Sequence, residues 1–280
     1  MPAAPSPTAL PEPDPVALAA ALDQVGRARS KPRRGPAVIG LCGAQGSGKS
    51  TLAAAMQRAL IADGAHAAVL SIDDLYLTGA KRLALAQSVH PLLATRGVPG
   101  THDIGLGLAL FAALDKGKPV RLPRFDKAAD DRLPESDWPI VEQSLDVLIF
   151  EGWCVGAHPE GDTALAQPVN TLEADEDPIG IWRRYANAAL AGRYQQLFAR
   201  IDRLILLAAP SFAVVRRWRG EQEAALRAER PDGAALQDSV ALDRFIQHYE
   251  RLTRHILKEM PGYADLVLRL DTGRSVLPSG

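Results

Sequence analysis

The run Gly43-Ala44-Gln45-Gly46-Ser47-Gly48-Lys49-Ser50 constrains this chain more than any other stretch. It fits G-x-x-x-x-G-K-[ST], a loop whose backbone N–H groups curl around one anion. Glycine permits the unusual backbone angles such a curl needs. Lys49 adds a positive charge for the β- and γ-phosphates, and the Ser50 hydroxyl is placed to ligate Mg²⁺. The expected nucleotide-binding set is Gly43, Ala44, Gln45, Gly46, Ser47, Gly48, Lys49, Ser50 and Thr51.

The flanking residues supply the setting this loop requires. Residues 36–42 read as a short buried strand, and residues 51–60 as a helix of strong helix formers with an apolar stripe. A helix start directly after the loop aims its dipole and free N–H groups at a phosphate.

Across all 280 residues, 47% are hydrophobic and 23% charged, enough for a full core. The net charge of −1 gives no general pull toward nucleic acid or an anionic membrane, so neither is expected as a partner. Cys42 and Cys154 sit in apolar runs and read as buried small hydrophobes. No apolar run reaches the roughly 18 residues of a membrane span. Residues 1–15 are rich in Pro and Ala, lack Lys and Arg, and do not read as a secretory signal or transit peptide. They are expected to be disordered, and the protein to be cytoplasmic.

Further along, residues 16–29 have helical spacing and are expected to dock on the outside, with 30–36 as a linker. Residues 1–35 together form a disordered or peripheral extension, and 36–280 a single domain. Strands are expected at 65–72, 145–150, 204–208 and 266–270, and helices at 83–93, 104–114, 179–199, 212–229 and 235–260. Residues 95–103 and 127–137 read as loops, 120–126 as extended chain, and 175–177 as the end of an acidic loop. Buried strands alternating with helices give an α/β fold, a mainly parallel sheet with helices on both faces. Residues 80–140 are expected as an insertion holding the acceptor, and 211–230 as a lid.

In open α/β sheets, ligands gather beyond the carboxyl ends of the strands. The phosphate loop, Asp73-Asp74 and Glu151 all fall at such ends. Asp73 or Asp74 is therefore a candidate to hold Mg²⁺ or take a proton from an acceptor hydroxyl. Glu151 is a candidate for ordering Mg²⁺ through water. Arg216, Arg217 and Arg219 read either as a solvated helix face paired with Glu221 and Glu223 or as a lid that neutralises phosphates. The charged stretch from Arg96 to Arg132 reads either as a solvated loop or as an acceptor pocket. In the pocket reading, Arg124, Lys127 and Arg132 hold an anionic group, and His102 and Asp103 bind hydroxyls. Asp74, Tyr76, Arg96 and Asp126 complete that candidate set.

The order of phosphate loop, Ser71-x-Asp73-x-Leu75-Tyr76 and Leu148-Ile149-Phe150-Glu151-Gly152 resembles the uridine kinase, phosphoribulokinase and pantothenate kinase group of P-loop kinases. More closely, the chain resembles plant-type D-glycerate 3-kinase and its bacterial and fungal relatives. The carrying segments are Ser71 to Thr78, Arg96 to Asp103, Pro123 to Ala128, Phe150 to Trp153, and Arg217-Trp218-Arg219-x-x-Gln222-Glu223. The resemblance implies a P-loop NTPase fold and transfer of phosphate from ATP to D-glycerate, giving 3-phosphoglycerate. It implies that Asp73 is base and metal partner, that Glu151 stands near Mg²⁺, and that Arg216, Arg217 and Arg219 belong to a lid. Phe125 departs from the pattern, since related kinases often have Tyr there.

Two other readings stay open on sequence. One is a kinase of the same group acting on a nucleoside, a pantothenate-like acid or another sugar acid. The other is a non-catalytic ATP-binding switch. The density of basic residues weighs against a neutral nucleoside. The intact Lys49, Ser50, Asp73 and Glu151 weigh against a switch.

Overall fold

A computed structural model describes residues 12–32, 34–229 and 239–278. The chain opens with α1 (Pro15–Arg29), followed by β1 (Ala37–Gly43), α2 (Lys49–Ala62) and β2 (Ala67–Ser71). Next come α3 (Gly79–Ser88) and α4 (Ile104–Leu114). Four two-residue strands follow: β3 (Val120–Arg121), β4 (Phe125–Asp126), β5 (Asp131–Arg132) and β6 (Ile140–Val141). The remaining elements are β7 (Val147–Gly152), α5 (Thr171–Glu176), α6 (Ile181–Ala189), α7 (Gln195–Phe198), β8 (Arg203–Ala208), α8 (Ala213–Glu229), α9 (Ser239–Glu259) and β9 (Leu266–Arg269).

Among the described residues, five strands form one parallel sheet in the order β2-β7-β1-β8-β9. Both central strands, β1 and β7, are buried along their whole length, which explains their unbroken apolar runs. Alternate residues serve opposite faces. Ile39, Leu41, Val147 and Ile149 pack under α1, α2 and Trp218 of α8. Val38, Cys42, Leu148 and Phe150 pack with α4, α9 and the segment around Tyr194. Both cysteines are buried and unpaired.

Several expectations need correction. Of the stretch 1–15 expected to be disordered, residues 1–11 lie outside the described residues, whereas Glu12 to Pro15 are ordered, with the Asp14 carboxylate accepting N–H bonds from Val16 and, far along the chain, Val276. α1 shares an apolar cluster with β1 and α2 through Ala17, Ala21, Val25 and Ala28, so it is part of the core and not an outer attachment. The acidic stretch near 175 ends helix α5, because Glu173 is drawn inward by Arg251. The helix expected over 179–199 is broken by a π-turn at Leu190–Tyr194, where Gly192 leaves helical angles.

The small strands place the charged insertion. β3 pairs with β6 and β4 with β5, both antiparallel. The backbones of residues 75–77 and 101–103 also zip together, through Leu77 N–H to Thr101 O and Asp103 N–H to Leu75 O. That pairing sets the end of β2 against the segment leading into α4.

Candidate active site

β1 delivers the phosphate loop, β2 delivers Asp73 and β7 delivers Glu151, all at the carboxyl edge of the sheet. The register aligns Leu41 with Glu151 and Glu151 with Ser71. Gly46 and Gly48 have φ of +75° and +87°, angles that side chains rarely tolerate. A Cβ on Gly46 would also meet the Cβ of Trp218 at 2.7 Å, so the loop passes tightly beneath α8. No side chain caps α2 at its Gly48 N-cap, which leaves the first N–H groups of that helix open to an anion.

Above the loop lies a cleft of about 870 Å³, lined by Ser47, Lys49, Thr51, Asp73, Lys127 and Glu151 among others. Gly43 and Ala44 are buried at the base of the loop. The Ser50 hydroxyl donates to Glu151 Oε1 at 3.0 Å. Glu151 is 5% exposed, and its Oε2 is buried with no hydrogen-bond partner.

The two adjacent aspartates diverge. Asp73 faces the cleft, and Lys127 Nζ lies 2.7 Å from its Oδ2. Burial alone would raise the Asp73 carboxyl, but Lys127 and then Lys49 outweigh it and hold the group well below the usual carboxylate range. Asp74 turns away and accepts from Arg124 at 3.2 Å and from the Phe125 N–H at 3.1 Å. Burial pushes its carboxyl up to about 6 against the pull of Arg124. Each carboxylate has its own cation, which relieves their mutual repulsion.

The other candidate acceptor residues form a neighbouring network. Tyr76 is buried and stacks on His102 with ring centroids 4.4 Å apart. Asp103 caps α4 by accepting from the Leu106 N–H, and lies 3.5 Å from both Lys81 and Arg132. Arg132 also donates to the Tyr76 carbonyl at 2.7 Å. Arg96 pairs with Asp130, and its guanidinium stands 5.7 Å from the centre of the Phe125 ring. The Asp126 carboxylate is used by its own turn, accepting from Ala128 and Ala129 N–H groups. Of Arg124, Lys127 and Arg132, Lys127 alone lines the cleft.

The three arginines of α8 also separate. Arg219 lines the cleft. Arg216 is exposed and forms a two-point pair with Asp243 of α9. Arg217 donates to the Thr272 carbonyl and lies 3.5 Å from Glu221.

The sequence matches the Phosphoribulokinase / Uridine kinase family over residues 38–171. It is 35% identical over 229 residues to mug58, an uncharacterized kinase of Schizosaccharomyces pombe, covering 78% of this chain and 80% of that protein. The chain belongs to the phosphoribulokinase/uridine kinase family. It is also 31% identical over 241 residues to the chloroplastic D-glycerate 3-kinase of Arabidopsis thaliana, a match that covers 81% of this chain and 50% of the plant protein. Among solved structures, D-glycerate 3-kinase from Cryptococcus neoformans var. grubii serotype A is similar with a TM-score of 0.71 at 25% identity, over 95% of this chain and 97% of that one.

As a P-loop kinase of this family the protein uses ATP. Two arginines that the sequence does not single out hold these segments together. Arg274 follows the last strand and donates from Nε to the Gly46 carbonyl at 2.6 Å. It also pairs with Glu221 and lies over the Trp218 ring. Its place just past the carboxyl end of β9 is the one available signal. Arg82 is 1% exposed and donates to Asp130, Leu77 O and Ala94 O. Nothing in its helical sequence context distinguishes it from a surface arginine.

Proposed function

We propose that this protein transfers the γ-phosphoryl group of ATP to a hydroxyl of a small carboxylic acid, with D-glycerate as the acceptor. The observation that carries the reading is the cleft-facing Asp73, held ionised by Lys127 beside the phosphate loop. Phosphoryl transfer needs an aligned acceptor and compensated charge more than covalent help. An ionised carboxylate meets the first need. It accepts a hydrogen bond from the acceptor hydroxyl, orients its oxygen and takes the proton as the bond to phosphorus forms. Asp74, tied to Arg124 and the backbone, is the structural member of the pair. Lys49 and the open start of α2 hold the phosphates. The names of the plant and fungal relatives support glycerate as the acceptor.

The residues present fit Mg²⁺. Ser50 and Glu151 bring hard oxygen donors together, and Glu151 Oε2 is a buried acceptor with no partner. Among the described residues no group of three or more His, Cys, Asp or Glu could cage a metal. That suits an ion that takes few protein ligands and shares phosphate oxygens. When bound, the cation offsets charge on the phosphates.

ADP release should be measured with ATP and Mg²⁺ against D-glycerate, glycerol, pantothenate, uridine and other sugar acids. Strong stimulation by D-glycerate, with 3-phosphoglycerate as product, is expected. Stimulation by uridine or pantothenate and not by D-glycerate would overturn the substrate, and no stimulation by any acceptor would overturn the kinase reading of the site.

A further inference from the structure

We propose that Tyr194 is a positioning residue that fixes His102 as its Nε2–H tautomer and so turns the imidazole into a hydrogen-bond donor toward an acceptor-only oxygen of the substrate. This rests on the hydroxy-acid reading above and names how the acid group would be recognised.

One hydroxyl decides the state of the ring. Tyr194 is 2% exposed, and its oxygen lies 2.9 Å from the Gly100 nitrogen and 2.6 Å from His102 Nδ1. A backbone N–H can only donate, so the hydroxyl accepts from Gly100. Its single hydrogen then has His102 Nδ1 as its acceptor. If Nδ1 carried a proton, the hydroxyl would only accept, and its own hydrogen would be stranded in a buried site. Nδ1 is therefore the acceptor, and the neutral ring carries its proton on Nε2. Burial supports the neutral form, pushing His102 down to about 4 although the charge of Asp73 opposes this.

The relay leaves one group unspent. His102 is 5% exposed, yet its Nε2 is buried with no hydrogen-bond partner. The ring is held by stacking on Tyr76, three residues after Asp73, and is close enough for the Asp73 charge to act on it. A buried, pre-oriented donor beside the candidate base is costly to the free enzyme and is satisfied by an oxygen that brings lone pairs and no hydrogen. A carboxylate oxygen has that character. A hydroxyl can also accept, but it brings a hydrogen that needs its own acceptor.

The local chain is built to place this hydroxyl. Tyr194 ends the π-turn Leu190–Tyr194, in which Gly192 takes φ −91° and ψ −118°. Without that interruption, helical spacing continuing from α6 would send the side chain in another direction. Such single π-turns recur at functional sites because they redirect one side chain.

The test uses full-length protein grown with isotope-labelled histidine, with ring nitrogens read by two-dimensional NMR. The chain has six histidines, and His102→Gln identifies the His102 signals by their loss. The expected wild-type state is neutral and protonated at Nε2. In Tyr194→Phe the ring should become a mixture of tautomers. Its KM for D-glycerate should rise roughly tenfold while KM for ATP stays within about twofold. His102→Gln, whose amide nitrogen can stand in for Nε2–H, should retain more acceptor affinity than His102→Leu.

A wild-type ring protonated at Nδ1 overturns the proposal. So does an unchanged acceptor KM in Tyr194→Phe, or an equal loss for ATP and acceptor. If Tyr194→Phe does not fold, His102→Gln against His102→Leu decides by the same KM split. If D-glycerate is not turned over, the substrate reading has failed. The NMR signals of wild type and Tyr194→Phe still decide the relay.

Discussion

Lys127 Nζ sits 2.7 Å from Asp73 Oδ2, joining residues 54 apart in sequence at the mouth of the phosphate loop. Asp73 is held below its ordinary value, so it stays ionised as pH falls through the usual carboxylate range. Asp73→Asn should lower turnover by at least about two orders of magnitude while ATP still raises the melting temperature. Lys127→Met should move the acidic limb of the kcat/KM profile to higher pH, because burial then acts on Asp73 without its main counter-charge. Superimposable acidic limbs in the two proteins would mean that the ion pair does not control the ionisation of Asp73.

Glu151 and Ser50 lead to a metal prediction. Glu151→Gln keeps the shape and one acceptor oxygen but removes the charge that favours a divalent cation. The Mg²⁺ concentration giving half-maximal activity should rise roughly tenfold, with little change in metal-free nucleotide affinity. Ser50→Ala should shift the Mg²⁺ requirement in the same direction. A titration of activity against free Mg²⁺ at saturating ATP checks both, and unchanged half-maximal points would remove these side chains from the metal site.

What the sequence made legible follows the range of the forces involved. The phosphate loop, β1 and β7 are written in consecutive residues, because a tight turn and two fully buried strands leave little choice locally. Glu151 and Asp73 could be placed from strand ends alone. The buried ions could not. Arg82 resembles any surface helix arginine, and it lies inside only because Asp130 and two carbonyls surround it. Asp130 itself adopts a positive φ of 52° and pairs with both Arg82 and Arg96. α5 is hidden for the same reason, since polarity signals a loop where Glu173 is fully buried against Arg251. Arg216, Arg217 and Arg219 look alike in sequence, as three cations of one lid. Helical rotation sends Arg216 toward α9, Arg217 toward the turn at Thr272 and Arg219 toward the cleft.

Arg274 reaches the Gly46 carbonyl across 228 residues of sequence, a contact no local pattern encodes. It ties the phosphate loop to Glu221 and Trp218 of α8 at once. Arg274→Ala should therefore loosen the loop where it passes under the helix. The expected result is a KM for ATP raised about five- to tenfold, with a smaller change in KM for the acceptor. Steady-state kinetics with each substrate varied separately distinguish this from a general loss of structure. An unchanged KM for ATP would mean that the loop keeps its shape without the arginine.

His248 gives the fold a dependence on pH. It is 3% exposed in α9, its Nδ1 is 3.1 Å from the Arg244 carbonyl, and its ring meets Trp182 edge to face. Burial, opposed chiefly by the hydrogen bond to the Arg244 carbonyl, pushes it down to about 4, and burial pushes His102 to a similar value. Both rings are neutral in the folded protein at neutral pH, whereas in the unfolded chain they bind protons from about pH 6.5 downward. Their contribution is therefore complete above that pH and is lost as pH falls toward 4. Each ring should cost about 1.4 kcal/mol per pH unit across that window. His248→Asn can keep a donor toward Arg244 O while removing the titration. Urea unfolding at pH 7 and pH 5 should show the variant losing less stability than wild type by about that amount per unit. Equal losses in the two proteins would place the acid sensitivity elsewhere in the chain.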